Sequence, residues 1–234
     1  MPELDTAQLL ALAAALGWAS GIRLYLVVLL TGLAGYQGWI ALPGGLSLLQ
    51  HPGVLGAAAF MVFVEFFADK IAGLDTLWDV VHTVVRIPAG AALAAAVFGA
   101  DGGAMALMAS IIGGTLAATS HAAKTTGRAA LNTSPEPFSN IAASVVEEAV
   151  VTGGLWLAVK QPLLFAAALA LVLVLSVWLI VKCLRFFRAV ITRVIRIFSG
   201  KTDPGVNSVF KGKPSRALPG PSDASMHNVD ATTK

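Results

Sequence analysis

The stretch PLLFAAALALVLVLSVWLIV, from Pro162 to Val181, contains no charged side chain over twenty consecutive residues. About twenty apolar residues suffice for a helix to cross the hydrocarbon core of a bilayer. The rest of the chain is similar in character, since 56% of its 234 residues are hydrophobic and only 12% are charged. Soluble domains carry roughly 25% charged residues. The sequence therefore predicts an all-α integral membrane protein and argues against a soluble or disordered class for residues 1–200.

Five further apolar segments precede this stretch, at 7–34, 54–68, 75–100, 104–131 and 141–159. Together the six segments predict a polytopic helical transmembrane domain over residues 1–181. Pro88 lies inside the third segment and is expected to kink or divide it. Pro52 and Pro135 each lie thirteen residues before an acid, Glu65 or Glu148. This spacing suggests two inverted three-helix repeats, at 7–100 and 104–181, although two unrelated apolar halves could align as well by chance.

Charge is distributed unevenly along the chain. Residues 1–181 contain six basic and ten acidic side chains, whereas residues 182–234 contain ten basic and three acidic ones. A basic segment beside apolar spans marks the cytoplasmic side of a membrane more often than it marks a nucleic-acid contact. With six spans, both termini are then expected to be cytoplasmic, in an inner (cytoplasmic) membrane, with no nucleic-acid partner. Residues 201–234 are polar and predict a disordered cytoplasmic tail.

The segment 182–200 has a basic and an apolar side when drawn as a helix. This pattern is typical of a helix that lies along an anionic membrane surface. A plain extension of the last span into the cytosol is the alternative. The basic side, predicted to contact lipid head groups, consists of Lys182, Arg185, Arg188, Arg193 and Arg196.

Charged residues also lie inside the apolar segments. Arg23 follows Ser20-Gly21-Ile22 near the middle of the first segment, where Gly21 can break a helix. A charge at the bilayer centre costs roughly 2.5–3.5 kcal/mol and usually faces protein or water.

Helical spacing groups further polar residues. Asp75, Asp79, His82 and Arg86 share one face, and His121, Lys124, Arg128 and Asn132 share another. Asn140, Ser144 and Glu148 fall on the next helix. Because ionisable residues within spans are functional by default, we predict a transport pathway or binding site. The predicted residues are Arg23, Glu65, His82, Arg86, His121, Lys124, Arg128, Asn132, Glu136 and Glu148. The alternative is a structural role, in which these charges only fix helix packing or lie among lipid head groups. This alternative is strongest for Asp69, Lys70, Asp75 and Asp79.

These patterns favour a small ion- or proton-coupled transporter or channel for an unidentified small ion or solute. A membrane enzyme acting on a lipid head group is the first alternative, with a divalent metal held by Asp75, Asp79 and His82. A membrane scaffold is the second. The sequence lacks the HExxH, GxSxG and Walker motifs, so we assign no catalytic residue and no cofactor. Self-association into a homo-oligomer stays open.

Three stretches resemble an uncharacterised family of mostly bacterial membrane proteins, the domain of unknown function DUF4126. They are Ala19-Ser-Gly-Ile-Arg-Leu-Tyr25, Val64-Glu-Phe-Phe-Ala-Asp-Lys70 with Asp75-Thr-Leu-Trp-Asp79 and His82, and His121-Ala-Ala-Lys124 through Asn132-Thr-Ser-Pro-Glu-Pro-Phe-Ser-Asn140. The resemblance covers roughly residues 7–195. It implies an integral membrane protein and supplies neither an activity nor a substrate.

Overall fold

The computed structural model describes residues 4–69, 71, 74–99, 102–132 and 137–198. Every regular element in these ranges is helical, which confirms the predicted all-α fold. The elements are α1 (Thr6–Tyr36), a short 3-10 helix (Gly44–Gln50), α2 (Pro52–Ala68), α3 (Leu74–Ala96), α4 (Gly103–Leu131), α5 (Pro137–Lys160) and α6 (Pro162–Phe198). The predicted disordered tail, 201–234, lies outside the described residues.

Local sequence explains where several helices begin. Asp5 caps α1 by accepting a hydrogen bond from the backbone N–H of Gln8, whose side chain accepts from the N–H of Asp5 in return. Pro52 occupies the first turn of α2, where no backbone donor is needed. Pro88 does not divide α3, which continues as one helix from Leu74 to Ala96. Pro88 has no backbone N–H, so α3 lacks one helical hydrogen bond. The packing of α3 against α1 and α4 stabilises the helix in spite of this loss.

The first helix is broken at Arg23, whose backbone angles (φ −144°, ψ 80°) are not helical. The break divides α1 into a first arm, residues 6–22, and a second arm, residues 24–36. The predicted interruption near Gly21 is therefore confirmed, although the break lies two residues later, at Arg23.

The two arms of α1 return to the same end of the molecule. In the first arm, the side-chain amide of Gln8 donates to the carbonyl of Val159, at the end of α5 (2.8 Å). Leu12 of the first arm and Ala34 of the second line one cavity, together with Val159. In a straight helix Leu12 and Ala34 would be about 33 Å apart, at 1.5 Å per residue. Arg23, in contrast, contacts Ser144 near the start of α5. Helix α1 is therefore a hairpin whose tip is Arg23.

Among the described residues, five helices are long and apolar enough to cross a membrane by length and composition alone, and α1 is one of them although its two arms turn back on each other. The number becomes six if the 3-10 helix and α2, which meet at 67°, form one bent span. The chain is thus a multi-pass membrane protein, as predicted. The inverted repeats stay a prediction, although α1 is a broken hairpin and its expected counterpart, α4, is one helix from Gly103 to Leu131.

Hairpin α1 lies at the centre of the bundle and contacts α2, α3, α4 and α5. Small residues allow this close approach. A Cβ at Gly17 would press against the backbone of Gly113, and one at Gly21 would collide with the carbonyl of Ala117 and the hydroxyl of Ser120. Large apolar side chains on the outer helices, such as Val84 and Leu163, are exposed in the isolated chain. This distribution fits a bundle that is surrounded by lipid.

The chain divides into two compact units, residues 1–187 and 188–234. Within the first unit, Phe165 of α6 is buried against Ala11, Ala15 and Ala158. The second unit is described only as the end of α6, where the side chains at 188–193 are exposed. No described residue interrupts α6 between the span and the basic segment, so the separate interfacial helix over 182–200 stays a prediction.

Candidate functional site

Charged residues from five helices meet where the tip of α1 enters the bundle. We call this group the ionic cluster. Its eight members are four cations and four carboxylates, and none has more than 15% of its side chain exposed. They are Arg23 of α1, Glu65 of α2, Asp69 at the end of α2, Asp79 and Arg86 of α3, Lys124 and Arg128 of α4, and Glu147 of α5.

Arg86 organises the side of the cluster formed by α2 and α3. One terminal nitrogen of its guanidinium pairs with Glu65, and the other donates to Asp79 at 2.6 Å. All three side chains are at least 98% buried. Asp79 and Arg86 are seven residues apart on α3, so they lie two turns apart on one face.

Arg23 organises the opposite side of the cluster. Its guanidinium donates to Asp69 at 2.7 Å and to the hydroxyl of Ser144 at 3.0 Å. It also lies 3.4 Å from Glu147 and 3.5 Å from Glu148. Glu148 is 35% exposed and forms the edge of the cluster.

Arg128 completes this side from α4. It donates to Glu147 at 3.0 Å, to Ser144 at 3.2 Å and to the backbone carbonyl of Asp69 at 3.1 Å. Ser144 therefore accepts hydrogen bonds from two arginines on different helices. Arg23 and Arg128, which carry like charges, approach each other because Asp69 and Glu147 lie between them.

Side chains of α4 bind backbone carbonyls at the end of the first arm of α1, where the last four carbonyls of a helix lack helical partners. Ser120 donates to the carbonyl of Trp18 at 2.6 Å, and Lys124 donates to that of Ile22 at 3.1 Å. His121 Nδ1 lies 3.2 Å from the carbonyl of Gly21. Cationic and polar groups are favourable at this end of a helix, where the carbonyl dipoles point outward. Helix α4 therefore stabilises the broken conformation of α1.

His82 and His121 lie beside the cluster, and His121 Nδ1 is 3.4 Å from a terminal nitrogen of Arg86. His121 Nε2 is 2.7 Å from the hydroxyl of Thr83. His82 Nε2 is 3.0 Å from the hydroxyl of Tyr25, and its ring stacks on Trp78. These bonds extend the polar region along α3 toward the second arm of α1.

Each carboxylate of the cluster retains one buried oxygen without a hydrogen-bond partner in the structure. These atoms are Glu65 Oε2, Asp69 Oδ1, Asp79 Oδ2 and Glu147 Oε2. Buried polar atoms are nearly always paired, so unpaired ones are typical of functional positions. Two donors of the cluster, Nε of Arg23 and Nε of Arg86, also lack a hydrogen-bond partner. Acceptors still outnumber donors among these atoms by four to two, which favours uptake of a proton or a cation.

The sequence model of the family described as domain of unknown function (DUF4126) matches residues 10–182. The chain belongs to this family. The match contains the whole ionic cluster and both arms of α1 from Leu10 onward, and it confirms the resemblance seen in the sequence. No curated protein and no solved structure matches the chain. The roles of residues in this DUF4126 protein must therefore be argued from its own geometry.

Most of the predicted pathway residues of this DUF4126 protein come together. Arg23, Glu65, Arg86, Lys124 and Arg128 belong to the ionic cluster, with His121, His82 and Glu148 around it. Asn132 lies further along α4, where its side-chain oxygen accepts a hydrogen bond from Asn140. Glu136 lies outside the described residues. Proximity does not establish transport, so the pathway itself stays a prediction.

The alternative metal site has no support in the geometry. Asp79 is engaged by Arg86 and Lys124, whereas His82 is directed to Tyr25 and the carbonyl of Trp78. The side chain of Asp75 is not among those described. Within the described ranges, no three His, Cys, Asp or Glu side chains are grouped so that they could hold a metal ion.

The predicted pathway omitted three carboxylates of the cluster, Asp69, Asp79 and Glu147, and Asp79 was assigned only to the alternative metal site and to the head-group residues. Asp69 follows α2 and was expected among lipid head groups, yet it is fully buried between Arg23 and Arg128. Glu147, rather than Glu148, is the acid that pairs with three cations. The signal was present, because Asn140, Ser144 and Glu147 also fall on one helical face.

The basic segment of α6 is different in character. Lys182, Arg185, Arg188 and Arg193 are all exposed, and the ammonium of Lys182 lies 4.7 Å from the ring of Trp178. The side chain of Arg196 lies outside the described set. Contact with anionic lipid head groups stays a prediction.

Proposed function

We propose that this protein is a small ion- or proton-coupled membrane transporter whose pathway runs through the ionic cluster. The observation that carries the proposal is the meeting of the α1 tip with eight buried charges from five helices. Transporters of known design place their substrate and ion sites at broken helices within the membrane. A hairpin that ends in an arginine amid carboxylates matches that design.

The energetics favour a functional over a purely structural cluster. Buried ion pairs add little to stability, because desolvation offsets most of their attraction, and apolar residues of similar size often stabilise equally well. A bundle that needed only packing could have used such residues. Each of the four carboxylates has one buried oxygen without a hydrogen-bond partner, although Glu147 Oε2 lies 3.4 Å from both Arg23 and Lys124. These oxygens support a role in uptake of protons or cations.

Helix α5 offers a route out of the cluster. The exposed fraction of the side chain rises from Glu147 (15%) to its neighbour Glu148 (35%), while Arg23 contacts both. Two carboxylates in sequence, one buried and one half-exposed, are suited to pass a proton or cation between the cluster and the surface near the start of α5.

We infer a bacterial inner-membrane location with a cytoplasmic C-terminus, because the basic residues concentrate there. A count of six crossings puts both termini on one face of the membrane. The contacts of α1 support a different position for the N-terminus. The first arm begins beside the end of α5, so the N-terminus belongs on the face opposite to the start of α5. The basic segment contacts anionic lipid on the cytoplasmic side.

The test is flux through proteoliposomes under imposed pH and voltage gradients, with a panel of small cations and anions. We expect Glu147→Gln to abolish flux because it removes an acid that three cations share. Glu148→Gln, one residue further, is expected to reduce flux by less. Lys160→Gln, on an exposed lysine at the end of α5, serves as the control and should transport normally.

Two results would contradict the proposal. One is absence of flux for the whole panel from correctly folded wild-type protein. The other is normal flux in Glu147→Gln protein, which would place the pathway elsewhere.

A further inference from the structure

The ammonium of Lys124 lies in a cage of oxygens from four other elements of the bundle. Its side chain is 98% buried. Around it stand four carboxylates and one backbone carbonyl at the end of the first arm of α1. The distances from Nζ are 3.1 Å to the carbonyl of Ile22, 3.4 Å to Glu147 Oε2, 3.5 Å to Asp79 Oδ1, 3.6 Å to Asp69 Oδ2 and 3.9 Å to Glu65 Oε1.

Lys124 is held more loosely than the arginines of the cluster. Charge-assisted hydrogen bonds are about 2.7–2.9 Å long. Arg86 reaches Asp79 at 2.6 Å and Arg23 reaches Asp69 at 2.7 Å, whereas Lys124 is at least 3.4 Å from every carboxylate of the cage. The arginines therefore fix the carboxylates, and Lys124 contributes a positive charge at their centre.

The size of the cage selects the kind of cation. The oxygens lie 3.1–3.9 Å from Nζ, so they would have to move inward much further for Mg²⁺ or Ca²⁺, which need about 2.0–2.6 Å, than for a larger monovalent cation. An ammonium group already fits there. The cage is therefore suited to a large, weakly hydrated monovalent cation such as K⁺, ammonium or a primary alkylammonium.

Charge balance sets the number of ions. The four cage carboxylates face three arginines, Arg23, Arg86 and Arg128, so one further positive charge completes neutrality. The second oxygens of Glu65, Asp69 and Asp79, on side chains at least 98% buried, have no hydrogen-bond partner. They are additional acceptors on the same carboxylates.

We propose that this cage is a binding site for one monovalent cation of ammonium size, and that Lys124 is a tethered cation that fills it when the free ion is absent. The inference rests on the proposed transport function, since it names the substrate class and its competitor. Entry of a free cation requires Lys124 to withdraw, and return of Lys124 expels the ion. Such competition couples ion release to a movement of α4.

The experiment measures thermal unfolding of the full-length Lys124→Ala protein in detergent. Melting temperatures are compared in potassium, ammonium, methylammonium and choline chlorides at one ionic strength. We expect K⁺, ammonium or methylammonium to raise the melting temperature by about 3–6 °C over choline at ten times the dissociation constant. Wild-type protein, in which Lys124 competes with the ion for the cage, should show a smaller difference between the salts than the Lys124→Ala protein. Lys160→Ala is the matched control and should behave as wild type.

A double variant, Lys124→Ala with Glu147→Gln, guards against simple misfolding. It removes one negative charge with the positive one, so it should fold in choline and respond little to the choice of cation. If the Lys124→Ala protein folds in potassium, ammonium or methylammonium chloride but not in choline chloride, that result would support the site. An equal response of the single variant to all four salts would overturn it. Failure of the single variant to fold in every salt while the double variant folds would also overturn it.

The outcome is independent of the flux assay. Cation-specific stabilisation of Lys124→Ala without flux in the wild type would keep the site and reject transport. Flux without cation-specific stabilisation would keep transport and reject the cage as its ion site.

Discussion

Two regions of this protein contain most of its arginines and lysines in the described ranges, and they use them in opposite ways. In the ionic cluster, Arg23, Arg86, Lys124 and Arg128 are at least 98% buried by side chain and face carboxylates on other helices. In the basic segment of α6, Lys182 to Arg193, the cations are exposed. The same residue types are fixed by partners in one region and left accessible in the other.

The difference shows that burial, rather than charge content, decides what a cation contributes. A buried arginine cannot lose its partner without leaving a charge in a medium of low dielectric constant. An exposed arginine is solvated and acts mainly through its long-range attraction to anionic surfaces. The two regions should therefore respond very differently to removal of a single charge.

The largest effect is expected for Arg86→Met. Glu65 and Asp79 would both remain buried without the guanidinium that they share, which costs about 3–5 kcal/mol. For a chain of this size, that corresponds to roughly 6–20 °C in melting temperature. Thermal unfolding in detergent measures it, and Arg185→Met in the basic segment is the control. Equal melting temperatures in the two variants would contradict the contrast between the regions.

A smaller effect is expected for Gly21→Ala, which alters the tip of α1 without changing any charge. The added methyl group would meet the carbonyl of Ala117 and the hydroxyl of Ser120, and such overpacking costs about 1–3 kcal/mol. Gly153→Ala is the matched control, since its Cβ would contact nothing within 4 Å and alanine is the better helix former. The close approach of α1 to α4 is refuted if Gly21→Ala melts as high as Gly153→Ala.

The smallest effect on folding is expected for removal of the basic segment's charge, by the combined changes Lys182→Gln, Arg185→Gln, Arg188→Gln and Arg193→Gln. Exposed substitutions of this kind change stability little. In nanodiscs of zwitterionic lipid the variant should melt as wild type. In nanodiscs that contain anionic lipid, wild type alone should gain stability, and added salt should remove the gain. If the variant also melts at a higher temperature in the anionic nanodiscs, the predicted contact with anionic lipid would be contradicted.

Much of the fold could be predicted, because bilayer insertion requires long apolar segments that are visible one by one. The six segments correspond to α1–α6, and the interruption near Gly21 matches the break at Arg23. What failed were the inferences that needed neighbours. Pro88 was expected to kink or divide its segment; packing on both sides keeps α3 as one helix, so the division is wrong and the kink stays a prediction. Asp69 was expected among head groups, but Arg23 and Arg128 bury it.

The candidate site was predictable only as a set of residue types. Spacing correctly placed Arg86, Lys124 and Arg128 on the inward faces of their helices, since a charge in a span must avoid lipid. Spacing could not distinguish Glu147 from Glu148, because both lie within one turn of the face set by Ser144. The choice depends on which of them Arg23, Lys124 and Arg128 can reach.

The amino-acid sequence alone is enough to predict a multi-pass helical membrane protein with charges buried in its spans. Those properties depend on composition and local periodicity, which each segment displays on its own. Three features follow from the tertiary structure and not from local sequence. Helix α1 turns back at Arg23, charged residues of five helices lie together there, and Lys124 lies at the centre of four carboxylates. Those features depend on distances between residues up to 151 positions apart, and such distances are set by how whole helices pack.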